Sequence, residues 1–170
     1  MVKVICVNGV SRSGKDTFIK FIREQSETTV VVHSTIDTIR KMLIESGLMV
    51  GDRKGIGERE FMVAVKQAWI KYSDGPYNQV IDKVLRIKKF MEPADIILFF
   101  VQVREPQEIK KLKLYYGDDF ITVVVKKKGI EAQIYNDMCV TDMEYDFVIE
   151  NNGTVEDLKV RATHFLNSIG

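Results

Sequence analysis

Apolar residues along this chain fall into two kinds of run, short unbroken ones and longer spaced ones. The unbroken runs are rich in β-branched and aromatic residues: Val2 to Val7, Thr28 to Val32, Ile96 to Val101, Phe120 to Val125, and a short one from Asp146 to Glu150. Each has the length and composition of a strand, and Ile96 to Val101 reads as a central strand buried on both faces. Between them apolar residues recur every three or four positions. Phe18, Ile19, Phe21 and Ile22 mark a first helix, and Ile36, Ile39 and Leu43 a second that starts at Ser34 or Thr35 and stops near Gly47. Glu58 to Tyr72 is a third, with Phe61, Val65, Ala68, Trp69 and Tyr72 expected on its inner face and Trp69 read as core. Asp74-Gly75-Pro76 breaks the chain before a fourth helix through Tyr77, Val80, Val84, Ile87 and Met91, closed by Pro93.

A fifth helix opens at Pro106, carries Ile109, Leu112 and Tyr116, and ends at Gly117. A last one follows Thr154, whose spacing to Asp157 suits a capping box, and carries Val155, Leu158, Ala162, Phe165 and Ile169. Ile130 to Tyr145 has no clear period, and Gly47 to Gly57 is polar, charged and glycine-rich, as a mobile segment would be. Strands alternating with helices, without repeat or linker, predict one α/β domain over 1–170 with a parallel sheet covered on both faces. Ligands of such sheets bind beyond the carboxyl ends of the strands. That draws attention to the glycine loop after the first strand, His33 to Asp37, Gln102 to Glu105, Lys126 to Lys128 and Asn151 to Thr154.

Composition narrows the partners. A chain of 170 residues with 45% hydrophobic and 29% charged residues is an ordinary globular domain, large enough to need no staples. A net charge of +1 gives no general electrostatic case for nucleic acid or an anionic membrane. The two cysteines, Cys6 and Cys139, are far apart and form no metal pattern, which fits a reducing cytoplasm. No signal-peptide pattern opens the chain, and no apolar run reaches the length of a membrane span.

The strongest chemical signal follows the first strand. Gly9-Val-Ser11-Arg12-Ser13-Gly14-Lys15 fits the first seven positions of G-x-x-x-x-G-K-[ST], between a strand and a helix as that motif requires. Glycines allow the loop to turn its N–H groups inward on a phosphate, and the helix start adds its positive dipole end. Lys15 supplies a point charge for the β- and γ-phosphates of a nucleotide. The next residue is Asp16 where the motif has a hydroxyl, and Thr17 comes one later. Either can serve Mg²⁺, which favours oxygen ligands, while Asp16 also suits the first turn of any helix.

Other candidates lie at the remaining strand ends. Arg104 follows the third strand and is placed to neutralise transferred phosphoryl oxygens, the alternative being a structural ion pair. Asp37 can orient an acceptor hydroxyl or sugar, or serve as a first-turn helix charge. Arg53 and Arg59 flank the glycine-rich segment and can hold an acceptor phosphate or lie solvated. Gln102 is a candidate for orienting water, His33 reads as structural, and Lys126 to Lys128 as a solvated strand end.

With these residues in view, the chain resembles the P-loop nucleoside monophosphate kinase group. Val10-Ser-Arg-Ser-Gly-Lys-Asp-Thr17 is especially similar to the loop of bacteriophage deoxynucleoside monophosphate kinases, though animal phosphomevalonate kinases have a related Ser-Gly-Lys-Asp string. Tyr145-Asp-Phe-Val-Ile-Glu-Asn-Asn-Gly-Thr154 resembles the turn that lies near the donor adenine in such kinases, with Asn136 and Asp137 as further candidates there. The resemblance implies a three-layer αβα P-loop NTPase fold with five parallel strands in the order 2-3-1-4-5, with residues 35–92 as a helical acceptor-binding segment. It places Arg104 where adenylate kinases have a phosphate-contacting arginine. The chain departs from the pattern in three ways: the adenylate kinase string Asp-Gly-Phe-Pro-Arg is absent, so Arg104 matches by position only; no carboxylate ends the third strand, nearby Glu105 reading as part of the helix start; and no arginine-rich lid is present, with Lys110, Lys111 and Lys113 as substitutes or merely a solvated face. The implied function is transfer of the γ-phosphoryl group of ATP, with Mg²⁺, to a nucleoside monophosphate, a deoxynucleotide foremost. The alternatives are a kinase for another phosphorylated metabolite, an NTPase switch, and a nucleotide sensor without catalysis.

Overall fold

The computed structural model describes residues 1–49, 55–130 and 143–170. Five strands, β1 (Val2–Asn8), β2 (Thr29–Ser34), β3 (Ile97–Gln102), β4 (Phe120–Lys126) and β5 (Phe147–Glu150), form one sheet in the order β2-β3-β1-β4-β5. Every neighbouring pair is parallel. All five carboxyl ends therefore share one edge, and the expected order holds.

Alternation along the strands sorts the side chains into two layers. Ile5 and Val7 of β1, with Leu98 and Phe100 of β3, face α1 (Lys15–Gln25) and the last helix, α6 (Val155–Ile169), around Phe18, Ile22, Leu158 and Phe165. Val4 and Cys6, with Ile97, Phe99 and Val101, face α4 (Gly75–Phe90) and α5 (Pro106–Tyr116) through Val80, Val84, Ile109 and Leu112. Fully burying such a side chain is worth roughly 1.5–3 kcal/mol, so the two layers are what hold the sheet between its helices. A third, smaller cluster lies off the sheet. It joins α2 (Thr35–Glu45) to α3 (Ile56–Ser73) through Ile39, Leu43, Met49 and Met62, with Trp69 packed against it as expected of a core residue.

Helix ends follow the sequence signals. The Ser34 hydroxyl accepts from Asp37 N–H, and Thr154 and Asp157 form a complete capping box. Two expected faces need correction. On α3, Phe61 and Tyr72 are exposed and Ala68 faces outward, while Met62 and Lys66 are buried. Scoring apolar residues alone misplaced the face, because Lys66 is a charged residue that goes inward with a partner. On α6, Val155 is exposed because it sits in the first turn, beyond the edge of the sheet.

Candidate functional site

At the carboxyl edge of the sheet the glycine loop runs from β1 into α1. Gly14, the residue before α1, has φ 96°, and a Cβ there would lie 2.3 Å from the Asn151 side-chain nitrogen. Gly9 is equally confined: a Cβ would meet Ser13 Oγ at 2.3 Å and the Val125 carbonyl at 2.8 Å. Arg12 takes the left-handed region at φ 67° without being glycine, a strain of order 1 kcal/mol or more that the loop must hold in place. Two contacts hold it. Ser13 N–H donates to the Val10 carbonyl at 3.1 Å, and Asn151 Nδ2 donates to the Ser13 carbonyl at 2.8 Å. Asn151 is fixed in turn by its own N–H, which donates to the Lys126 carbonyl. The turn after β5 thus clamps the loop from behind. Ser13 Oγ is buried under the loop with no hydrogen-bond partner among the described residues.

In front of the loop lies a cleft of about 560 Å³, a size that suits a small-molecule ligand. Its walls come from four places: the loop (Ser11, Arg12, Lys15, Asp16), the β2–α2 junction (Ser34 to Asp37, and Arg40), the β3 end (Gln102, Arg104) and α3 (Arg59, Met62, Val63, Lys66). Of the residues singled out from sequence, Ser11, Arg12, Lys15, Asp16, Asp37, Arg59 and Arg104 all line it. Gly9, Ser13 and Gly14 shape the loop behind, and Thr17 is exposed on α1 without lining the cleft. Arg53, Asn136 and Asp137, with most of the glycine-rich segment's centre, lie outside the described residues. Lys111 and Lys113 do not line the cleft. They pair with Asp74 at 2.5 Å and Asp146 at 3.2 Å.

The electrostatics are one-sided. Six basic side chains, Arg12, Lys15, Arg40, Arg59, Lys66 and Arg104, line the cleft against the carboxylates of Asp16 and Asp37. Asp37 is engaged by Arg40 at 2.8 Å, so it is both a helix-turn charge and a cleft residue. A chain with a net charge of +1 has gathered its cations here, which suits a multiply charged anion.

Gln102 Nε2 donates to Asp16 Oδ1 at 2.7 Å, tying the end of β3 to the residue after Lys15. Lys15 Nζ lies 3.7 Å from the other oxygen of the same carboxylate. A largely exposed carboxylate beside a phosphate loop fits Mg²⁺, which takes one or two carboxylates and fills its shell with water and phosphate oxygens.

Sequence reasoning passed over Lys66 and Arg40, and it read Asn151 only as part of the turn after the last strand, not as a clamp on the glycine loop. Lys66 had a readable signal. Arg59, Met62, Val63 and Lys66 are spaced i, i+3, i+4 and i+7, one helix face with cations at both ends of an apolar stripe.

His33, at the end of β2, is buried with Nδ1 3.0 Å from Lys83 Nζ. Burial, then the Lys83 charge, lowers its pKa to about 4, so it is neutral near pH 7 and does not line the cleft.

Strand order, parallel pairing and a glycine loop feeding α1 from the central strand decide the architecture. The fold is that of a P-loop NTPase. Two solved structures share the fold over nearly the whole chain. The chain aligns over 99% of its length with 98% of TT1252 from Thermus thermophilus, at TM-score 0.53 and 16% identity. It aligns over 98% of its length with 96% of the Deinococcus radiodurans tunicamycin resistance protein, at TM-score 0.53 and 10% identity. A shikimate kinase from Aquifex aeolicus aligns at TM-score 0.48 and 11% identity, over 98% of this chain and 99% of that one. Neither a protein-family model nor a curated protein sequence matches the chain. Among the described residues no helix is long and apolar enough to cross a membrane.

Proposed function

We propose that this protein is an ATP-dependent phosphotransferase whose acceptor is a nucleoside monophosphate, a deoxynucleotide foremost. The observation that carries the reading is the convergence of six cations on a cleft that opens directly in front of the phosphate loop. A loop for the donor's phosphates needs one lysine and its own N–H groups. The further arginines Arg12, Arg59 and Arg104 suit a second anion, and the acceptor's phosphate is that anion.

In this reading the loop N–H groups cradle the donor phosphates, and Lys15 neutralises the β- and γ-oxygens. Arg104, fixed beyond a buried strand, meets the equatorial oxygens of the phosphoryl group in flight. Arg59 on α3 and Arg12 in the loop hold the acceptor phosphate in line. Residues 35–92, which carry α2, α3 and α4, form the acceptor-binding segment. An acceptor phosphate oxygen is already ionised near neutral pH, so the chain needs no general base and forms no covalent intermediate. Catalysis is positioning and charge neutralisation. Mg²⁺, when bound, would supply further charge neutralisation at the phosphates, held by Asp16, or by Thr17 through water, with Gln102 orienting the Asp16 carboxylate. The reaction belongs in a reducing cytoplasm, with small-molecule partners and no nucleic acid or membrane.

A coupled ADP-release assay over the common ribo- and deoxynucleoside monophosphates tests it, with phosphomevalonate and simple alcohols as controls. Turnover with a nucleotide acceptor is expected. Turnover with only the controls overturns the acceptor assignment. Acceptor-independent release points to an NTPase switch, and ATP binding without any turnover to a sensor.

A further inference from the structure

Lys66 is the most deeply buried cation of the cleft, with 3% of its side chain exposed. It projects from α3 beside Met62 and Val63, and its Nζ donates to Glu105 Oε2 at 2.5 Å. Glu105 is itself only 12% exposed and stands at the N-cap position of α5, yet its carboxylate caps no N–H of that helix. It meets Lys66 instead. A buried ion pair of this kind is a poor stabilising device, since well-packed apolar residues of the same volume commonly do as well or better. Its retention beside Met62 and Val63 therefore needs another reason.

The geometry supplies one. Lys66 lines the cleft, and Glu105 does not. The pair is thus a dipole lying behind the cleft wall, with its positive end toward the cavity. An ammonium has three donors, and the bond to Glu105 takes one. The carboxylate beside it offsets the cost of burying the ammonium and aims it.

The backbone around Glu105 is fixed on every side. Gln102 is held by Asp16, the Val103 carbonyl accepts from Cys6 Sγ at 3.6 Å, and Pro106 starts α5. Arg104 lies in the middle of this strap and lines the same cleft. Lys66 joins the strap to α3, and therefore to Arg59 on the same helix face.

We infer that Lys66 is a direct contact to the anionic group of the acceptor, charged and oriented by Glu105. The inference rests on the reading that the cleft holds an anionic acceptor. Lys66 lines the same cleft as Arg59 and Arg104 and adds a third cation to them, and Glu105 is a positioning residue that never touches the substrate.

The test separates this role from packing. Lys66→Met alone takes this cation from the part-buried Glu105 carboxylate and mixes a stability cost with any loss of binding, so the informative variant is K66M/E105L, which replaces the pair by apolar groups. Calorimetry with a deoxynucleoside monophosphate, in the presence of a non-hydrolysable ATP analogue, reads the acceptor site. Titration of the analogue alone reads the donor site, and urea unfolding reads stability. The expected result is wild-type stability and analogue affinity, with acceptor affinity reduced about tenfold or more, the loss of one charged hydrogen bond. Wild-type acceptor affinity in K66M/E105L would overturn the inference and leave the kinase reading intact. Absence of nucleotide binding by the wild-type protein, across the monophosphate panel, would overturn the acceptor reading and this inference together.

Discussion

Gly14 and Asn151 provide the sharpest structural test, because the same small space serves both. Gly14→Ala places a methyl group 2.3 Å from Asn151 Nδ2 on a backbone with φ 96°. The backbone term alone is about 1–2 kcal/mol for an L-residue in the left-handed region. The displaced amide then gives up its 2.8 Å bond to the Ser13 carbonyl, worth about 1 kcal/mol net, and more if the carbonyl stays dry. Gly14→Ala should therefore cost about 2–3 kcal/mol. Asn151→Ala removes the same bond without strain and should cost about 1–2 kcal/mol. In the double variant the clash is gone and the bond is lost only once. Its cost should equal that of Gly14→Ala alone, about 2–3 kcal/mol, leaving a coupling of about 1–2 kcal/mol between the sites. Urea unfolding of the four proteins measures the cycle, and ATP-analogue affinity should follow the same order. Strict additivity of the two single costs would show that the Asn151 clamp on the loop is not real.

Two further outcomes follow from the same structure. Arg104→Ala should lower kcat by about a hundredfold, as removal of a charge-stabilising donor does, while ATP-analogue affinity changes by less than about threefold. Steady-state kinetics with binding measured separately decides it, and a variant that loses stability but keeps kcat would reduce Arg104 to a structural ion pair. His33, with its pKa lowered to about 4, has a definite sign: below pH 6.5 the unfolded chain takes up a proton that the folded protein refuses. Stability should fall as pH drops from 7 to 5, by about 2 kcal/mol from this group, and stop falling from it near pH 4. The His33→Gln variant should show a correspondingly shallower slope in urea midpoints over that range, and an unchanged slope would refute the assignment.

How far the sequence speaks depends on how local the physics is. Val2 to Val7, Ile96 to Val101 and Phe120 to Val125 could be read because burial on both faces leaves an unbroken apolar run, and Pro106 and Gly117 bound α5 by backbone chemistry alone. Lys15 and Asp16 stood out through the glycine-loop motif, Arg104 and Asp37 because parallel strands send their following residues to one edge, and Arg59 because it flanks the glycine-rich segment; all five line the cleft. What escaped was pairwise and distant. Asn151 clamps Ser13 from 138 residues away, and Lys66 meets Glu105 across 39. Nothing in the composition of either segment announces its partner. The inner face of α3 was misread for the same cause: a lysine scores as solvent-facing until the carboxylate that receives it is known. Sequence also left open whether Asp16 or Thr17 would serve a metal; the structure adds that Asp16 lines the cleft and accepts from Gln102, while Thr17 does not line it.

The most direct test follows the label. ATP carrying radioactive γ-phosphate is incubated with Mg²⁺ and each deoxynucleoside monophosphate, using the wild-type protein and a folded Lys15→Ala variant. The account predicts label in a nucleoside diphosphate with the wild-type protein, and none above background with the variant. Label released only as inorganic phosphate, or transfer that survives Lys15→Ala in a folded protein, would contradict it.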